Sequence, residues 1–344
     1  MFLITKDTLI IIIVLLALFL LYIVSIIAII CVVDKKYFSK RFDGKSYIKY
    51  QNYLSFKGLK KEDYSFISNN KKIYGEIYYY DNYKENKVII FSLGLSGVID
   101  KYINEIAYFA SLGYRVYAYE YAGVGRSEGK KFIQAPQAIM DLENCIKKVR
   151  NLNPNAEIIL AGHSVGAYAS CNVLNLEFVD KVVAISPFNN IVDVVTDVVY
   201  DRSSKKIFMF SLIYKIILFF KFGKYARFNT FNTLKTIDTK VLVIHGTADK
   251  TVIVNRTIQS MMTNHNGFVK YILLQDKDHY PLLSSEAMTY NLFLEHQLED
   301  LQLKYKKNIP EKEIELLNEN INYNLINKFD EGILNTIKEF IEEV

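Results

Sequence analysis

Ser164 stands inside Ala156 to Asn172, A-E-I-I-L-A-G-H-S-V-G-A-Y-A-S-C-N. The apolar run Ile158 to Ala161 reads as a buried strand, G-H-S-V-G breaks it, and small residues from Ala167 onward resume as a helix. A serine on such a strand-to-helix turn can act as a nucleophile. Its backbone is strained, and side chains two positions away would collide across the turn. Gly162 and Gly166 remove that collision. The helix that follows aims its N-terminal N–H groups and positive dipole end at developing negative charge.

A serine hydroxyl is a weak nucleophile, so a base must take its proton, and an imidazole base needs an acceptor to fix its tautomer. Two further strand ends supply candidates. The apolar stretch Lys240 to Ile244 leads into H-G-T-A-D, ending at Asp249, and Phe268 to Leu274 delivers D-K-D-H-Y, with His279. Taken singly, an Asp in a Gly-containing loop reads equally as a turn former, and a histidine beside two aspartates reads equally as a surface residue. In the order Ser164, Asp249, His279, the three make a nucleophile, acid and base set. His163 and His245 point elsewhere in this scheme, and His265 and His296 fall on helical or loop stretches. All four read as structural or solvated.

The elements that must position these groups form an α/β pattern. Tyr64 to Ile67 and Lys72 to Tyr80 read as an opening hairpin about Ser68-Asn69-Asn70. There follow a buried strand Lys87 to Ser92, a helix Lys101 to Leu112, a strand Tyr114 to Tyr119 and an amphipathic helix Ala135 to Leu152. Strand and helix alternating at this spacing imply a mostly parallel sheet with helices on both faces, and a site beyond the strands' carboxyl ends.

The chain resembles the α/β-hydrolase superfamily, and within it the serine aminopeptidase and monoacylglycerol lipase-like branch. The matching stretches are F-S-L-G-L-S-G from Phe91, Y-E-Y-A-G-V-G-R-S-E-G from Tyr119, A-G-H-S-V-G from Ala161, V-I-H-G-T-A-D from Val243 and D-H-Y from Asp278. The resemblance covers roughly Phe66 to Pro281 plus a last helix. It implies that the backbone N–H groups of Leu95 and Val165 form an oxyanion hole. Leu93 stands where the family usually has histidine before the glycine of the oxyanion loop, and Asp278 where it has glycine before the base. The resemblance also implies a lid, here about residues 189–238, whose middle, Ile207 to Phe222, is strongly apolar. Such a stretch suits a pocket for an acyl chain, a surface that dips into a bilayer, or a plain cover of the core.

Thr8 to Val33 carries no charge. At about 1.5 Å per residue the run exceeds a hydrocarbon core of roughly 30 Å. It is longer than the apolar region of a cleaved signal peptide and lacks a small-residue ending, which favours a retained anchor over residues 1–34. Lys35, Lys36, Lys40, Arg41 and Lys45 follow it, against Lys6 before it, so the domain is expected on the cytoplasmic side. Cys31, at the inner boundary, is either an acylation site or a small hydrophobe. Residues 35–63 read as a connector, lying on anionic headgroups or solvated. Residues 64–344 form the α/β-hydrolase domain. Within it, about 282–327 reads as an acidic, Asn-rich helical insertion whose charge pattern suits a solvated surface, or else a partner contact, and Glu331 to Val344 fits the closing helix.

With 51% hydrophobic residues in 344, the chain has material for one large domain. A net charge of +5, without a basic cluster interleaved with aromatics, gives no footprint for nucleic acid. The three cysteines have neither metal-site nor disulfide spacing, and no metal or organic cofactor is implied. The expected activity is that of a membrane-anchored serine hydrolase cleaving a small-molecule acyl ester or thioester, lipid-like in character. Alternatives are an aminopeptidase or amidase with the same triad, and a non-catalytic membrane scaffold. Serine at the nucleophile position argues against dehalogenase and epoxide hydrolase chemistry.

Overall fold

The computed structural model describes residues 5–37, 40–95, 97–132, 134–203, 207–254, 262, 266–306 and 308–343. Ser96 of the oxyanion-loop motif, His265 and Val344 lie outside the described residues. Eight strands form one sheet in the order β1-β2-β4-β3-β5-β6-β7-β8. β1 (Lys60–Ser68) and β2 (Lys71–Tyr79) make an antiparallel hairpin, and β2 also runs antiparallel to β4 (Arg115–Tyr119). Asn69 and Asn70 close the hairpin with φ of 46° and 58°, the left-handed conformation that two-residue hairpin turns require and Asn tolerates.

β3 (Lys87–Ser92), β4, β5 (Glu157–His163), β6 (Lys181–Ile185), β7 (Lys240–Gly246) and β8 (Val269–Leu274) run parallel. Apart from their first residues, β3, β4, β5 and β7 are buried throughout, because helices cover both faces of a parallel sheet. Those helices are α2 (Ile103–Ser111) after β3, α3 (Ala135–Leu152) after β4 and α4 (Val165–Asn172) after β5. Between β6 and β7 lie α5 (Ile191–Ser203), α6 (Phe210–Phe222) and α7 (Thr230–Thr236). After β8 come α8 (Ser285–Lys304), α9 (Glu311–Glu319), α10 (Tyr323–Ile326) and α11 (Glu331–Glu342).

Register brings the strand ends level. Gly162 pairs with Ser92, His163 with Ile185, and Gly246 with Leu274, so the loops leaving β3, β5, β7 and β8 share one edge.

α1 (Lys6–Tyr37) precedes the sheet and is long and apolar enough to cross a membrane. Beyond it the chain is laid on the domain. Phe42 exchanges backbone hydrogen bonds with the Gly123–Gly125 turn, and the Arg41 guanidinium donates to the carbonyls of Ser127 and Gly129. Asn318 of α9 accepts from Lys49 N–H and donates to the Tyr47 carbonyl, both at 2.7 Å. The helical segment after β8 therefore holds the connector as well as presenting a polar surface. Its apolar residues Leu294, Leu317, Ile321 and Ile326 form a small core of their own.

Glu105 on α2 is 3% exposed. Burial pushes its carboxyl up to about 8, against the pull of its own backbone N–H and of Lys101. A raised acid binds its proton more tightly in the fold than in the unfolded chain. Its contribution to stability is therefore present in full below about 4.5 and is lost as pH rises towards about 8. The Glu105→Gln variant should melt at a higher temperature than the parent at pH 8, with the gap closing by pH 5. Thermal melts across that range measure it.

Candidate active site

Ser164 follows β5 directly and caps α4, with φ 55° and ψ −113°. For a residue with a β-carbon this backbone is strained, and the surroundings hold it there. Its N–H donates to the Ile185 carbonyl at 2.8 Å, and its carbonyl accepts from Tyr168 N–H at 2.9 Å. Both flanking glycines are sterically required. A β-carbon at Gly162 would lie 2.6 Å from the Gly166 carbonyl carbon, and one at Gly166 would lie 2.0 Å from the Ser92 carbonyl oxygen. Gly166 is thus where α4 touches the end of β3. The Gly166→Ala variant is expected to lose about 2 kcal/mol or more of stability, because neither backbone can yield without parting the sheet from α4. Chemical denaturation of the full chain in detergent checks this.

Asp249, in the loop after β7, is 5% exposed. Its Oδ1 accepts from Thr251 N–H and Val252 N–H, each at 2.8 Å. Its Oδ2 accepts from His279 Nδ1 at 2.7 Å and lies 3.0 Å from His245 Nε2. Burial alone would raise this carboxyl, but the hydrogen bonds from His245 and His279 outweigh it and hold the group well below the usual carboxylate range. His279 lies after β8. With Nδ1 donating to Asp249, its Nε2 is the acceptor that faces Ser164 Oγ, at 2.9 Å. The structure brings Ser164, Asp249 and His279 into one chain of hydrogen bonds, from three strand ends far apart in sequence.

Two histidines expected to point elsewhere in fact surround this chain. His245 is fully buried, and its Nε2 faces both the Asp249 carboxylate and the Val252 carbonyl at 3.0 Å, so that nitrogen carries the proton. His163 Nε2 donates to the His279 carbonyl at 2.9 Å, and its ring centroid is 4.9 Å from that of His279. With Nε2 as donor, Nδ1 accepts from the Tyr102 hydroxyl at 2.9 Å, and that oxygen accepts from Gly94 N–H at 3.1 Å. The loop after β3 and the loop carrying His279 are therefore joined through Tyr102 and His163. Burial, with the neighbouring His279, pushes His163 well below its ordinary value and keeps it neutral. Their places immediately beside a motif serine and at the end of β7 were the available signal. His296 is exposed on α8.

Leu95 lies in the turn after β3, and Val165 is the first residue of α4. Gly166, packed against Ser92 and Leu93, sets the β3 loop and the α4 N-terminus side by side. An arrangement of this kind, a hydroxyl hydrogen-bonded to an imidazole that a carboxylate orients, has the parts needed for acyl transfer.

Residues 83–209 match the family model described as Serine aminopeptidase, S33. Among solved structures, the chain is similar to the Pyrococcus furiosus esterase Pf2001 in two crystal forms. One has 20% identity over 76% of this chain and 98% of that one, with a TM-score of 0.53. The other has 18% identity over 79% and 100%, also at 0.53. An alpha-beta serine hydrolase homologue from Coxiella burnetii is more distant, with 16% identity over 76% and 97% at a TM-score of 0.46. No curated protein matches. By its sheet order and its likeness to the Pyrococcus furiosus esterase structures, the chain has the α/β-hydrolase fold, and residues 83–209 within it resemble the serine aminopeptidase family.

Proposed function

We propose that this protein is a membrane-anchored serine hydrolase that cleaves acyl esters or thioesters, lipid-like in character, through an acyl-enzyme. The observation that carries the reading is the unbroken series of hydrogen bonds from Asp249 through His279 to Ser164. Ser164 Oγ attacks the acyl carbon as His279 Nε2 takes its proton, and Asp249 stabilises the imidazolium that results. Negative charge gathers on the former carbonyl oxygen, where the N–H groups of Leu95 and Val165 and the α4 dipole stabilise it. The tetrahedral species expels the alcohol or thiol, which takes the proton back from His279. Water activated by the same imidazole then releases the acid and restores Ser164.

The anchor is α1, with Lys35, Lys36, Lys40, Arg41 and Lys45 after it placing the domain on the cytoplasmic side. In this reading residues 1–34 are the anchor, 35–63 the connector and 64–344 the catalytic domain, with α5, α6 and α7 as the lid. The description of the matched family favours a second reading, an aminopeptidase or amidase using the same three residues.

Rates on p-nitrophenyl esters of increasing acyl length, beside aminoacyl p-nitroanilides, separate the two with full-length protein in detergent. Turnover of esters with little on anilides supports the esterase. The reverse supports the peptidase, and folded protein inert to both supports a scaffold.

A further inference from the structure

The two halves of α1 differ in their surroundings. From Leu9 to Leu21 its large side chains are exposed on every side. From Tyr22 onward one stripe at helical spacing, Tyr22, Ile23, Ile26, Ile30 and Val33, packs on the domain core. The opposite face of that same half, with Val24, Ile27, Ile29 and Val32, stays exposed and apolar.

The partner of the packed stripe includes α6. The Tyr22 hydroxyl donates to the Phe208 carbonyl at 2.7 Å, just before α6 begins, and Lys221 near its end pairs with Asp34 at 3.3 Å. Tyr22 to Asp34 and Phe208 to Lys221 are each about 18 to 20 Å of helix, so α6 lies alongside the second half of α1 and runs the same way. Its outward stripe is Leu212, Lys215, Ile216, Phe219 and Phe220, with Phe220 81% exposed.

Only Lys6 to Leu21 of α1 is free of the domain, about 24 Å of helix against a hydrocarbon core of roughly 30 Å. A bilayer crossed by α1 must therefore also take in at least about 6 Å of the half of α1 that carries α6, beginning at the Phe208 end. The exposed apolar faces of both helices agree with that depth. At the far ends of the two helices Lys35 and Lys36 come level with Lys221, Lys224 and Arg227, a basic band at the height of the headgroups.

We infer that α6 is immersed in the bilayer beside α1, its apolar stripe against acyl chains and the basic band against anionic headgroups. This rests on α1 being a membrane span. A cavity of about 630 Å³ between α5 and α6, walled by Tyr168, Ile191, Val192, Ile216, Phe219 and Phe220, then opens to lipid. Tyr168, one helical turn after Ser164, stands in its wall.

The chain has no tryptophan, so one introduced indole reports alone. Full-length Phe220→Trp, Leu16→Trp and Phe178→Trp variants, at exposed sites on α6, α1 and the loop before β6, are reconstituted in vesicles. The vesicles hold phosphatidylcholine brominated on its acyl chains and phosphatidylglycerol. Quenching at 220 that is weaker than at 16, as suits a residue beside the basic band, but clearly present, with 178 unquenched, is expected. Quenching at 16 without 220 overturns the inference and leaves the anchor standing. No quenching at 16 overturns both, and equal quenching at all three overturns the proposed depth. Omitting phosphatidylglycerol should weaken quenching at 220, and an unchanged signal overturns the role of the basic band.

Discussion

Replacing Ser164 with alanine is expected to lower kcat/KM on an activated acyl ester by roughly 10⁵-fold or more. In the proposed mechanism the substitution removes the one atom that bonds to the acyl carbon and leaves the rest in place. His279 keeps its contact with Asp249, and the backbone N–H groups of Leu95 and Val165 do not depend on the Ser164 side chain. Residual turnover above the uncatalysed rate, of the order of 10³-fold, should therefore persist. Stability should hardly change. Alanine has the same β-carbon as serine, so the strained φ of 55° costs both residues alike, and the backbone bonds to Ile185 and Tyr168 are retained. Initial rates together with a melting curve check both halves. A large loss of stability would mean that the hydroxyl is part of the fold and not poised for chemistry.

The Asp249→Asn variant is expected to lose about 10⁴-fold in kcat, with much of its substrate binding retained. Four donors converge on this carboxylate: Thr251 N–H, Val252 N–H, His279 Nδ1 and His245 Nε2. An asparagine has one acceptor oxygen, so its amide hydrogens must face some of these donors. If the amide turns to His279, Nδ1 becomes the acceptor and Nε2 carries the proton. An imidazole in that tautomer cannot take the proton of Ser164. The sign of the pH effect follows from the depressed carboxylate. Its stabilising contribution is present above its unfolded value near 3.8 and is lost as pH falls through its lower folded value. Asp249→Asn should therefore be less stable than the parent at neutral pH, and the difference should shrink in acid. Single-turnover kinetics and melts at pH 7 and pH 3 measure the two effects.

The Asp249, His279 and Ser164 positions could be read from the chain because each follows an apolar strand and falls in a loop of distinctive composition. β3 and α3 have the limits expected from burial runs and amphipathic spacing, Lys87–Ser92 and Ala135–Leu152. The helix expected from Ala167 begins at Val165, since helix geometry starts directly at the strained serine. β6 is only five residues long and gives a weak pattern in the chain, yet its Ile185 carbonyl holds Ser164 N–H. His163 and His245 are structural, as the chain suggests, but their contacts with His279 and Asp249 are not legible in it. Local spacing tells which strand a side chain leaves but not which loop it meets, and both histidines meet loops distant in sequence or folded back on themselves. The packing of α6 along α1 was equally out of reach, because it joins two apolar helices nearly 190 positions apart.

The most direct test of the catalytic proposal is labelling of the detergent-solubilised full chain with a fluorophosphonate, with the adduct located by peptide mass spectrometry. A single adduct on Ser164, absent from Ser164→Ala and strongly slowed in His279→Ala, is the expected result. Folded protein that takes no label, or takes it on another serine, would contradict an activated nucleophile at Ser164.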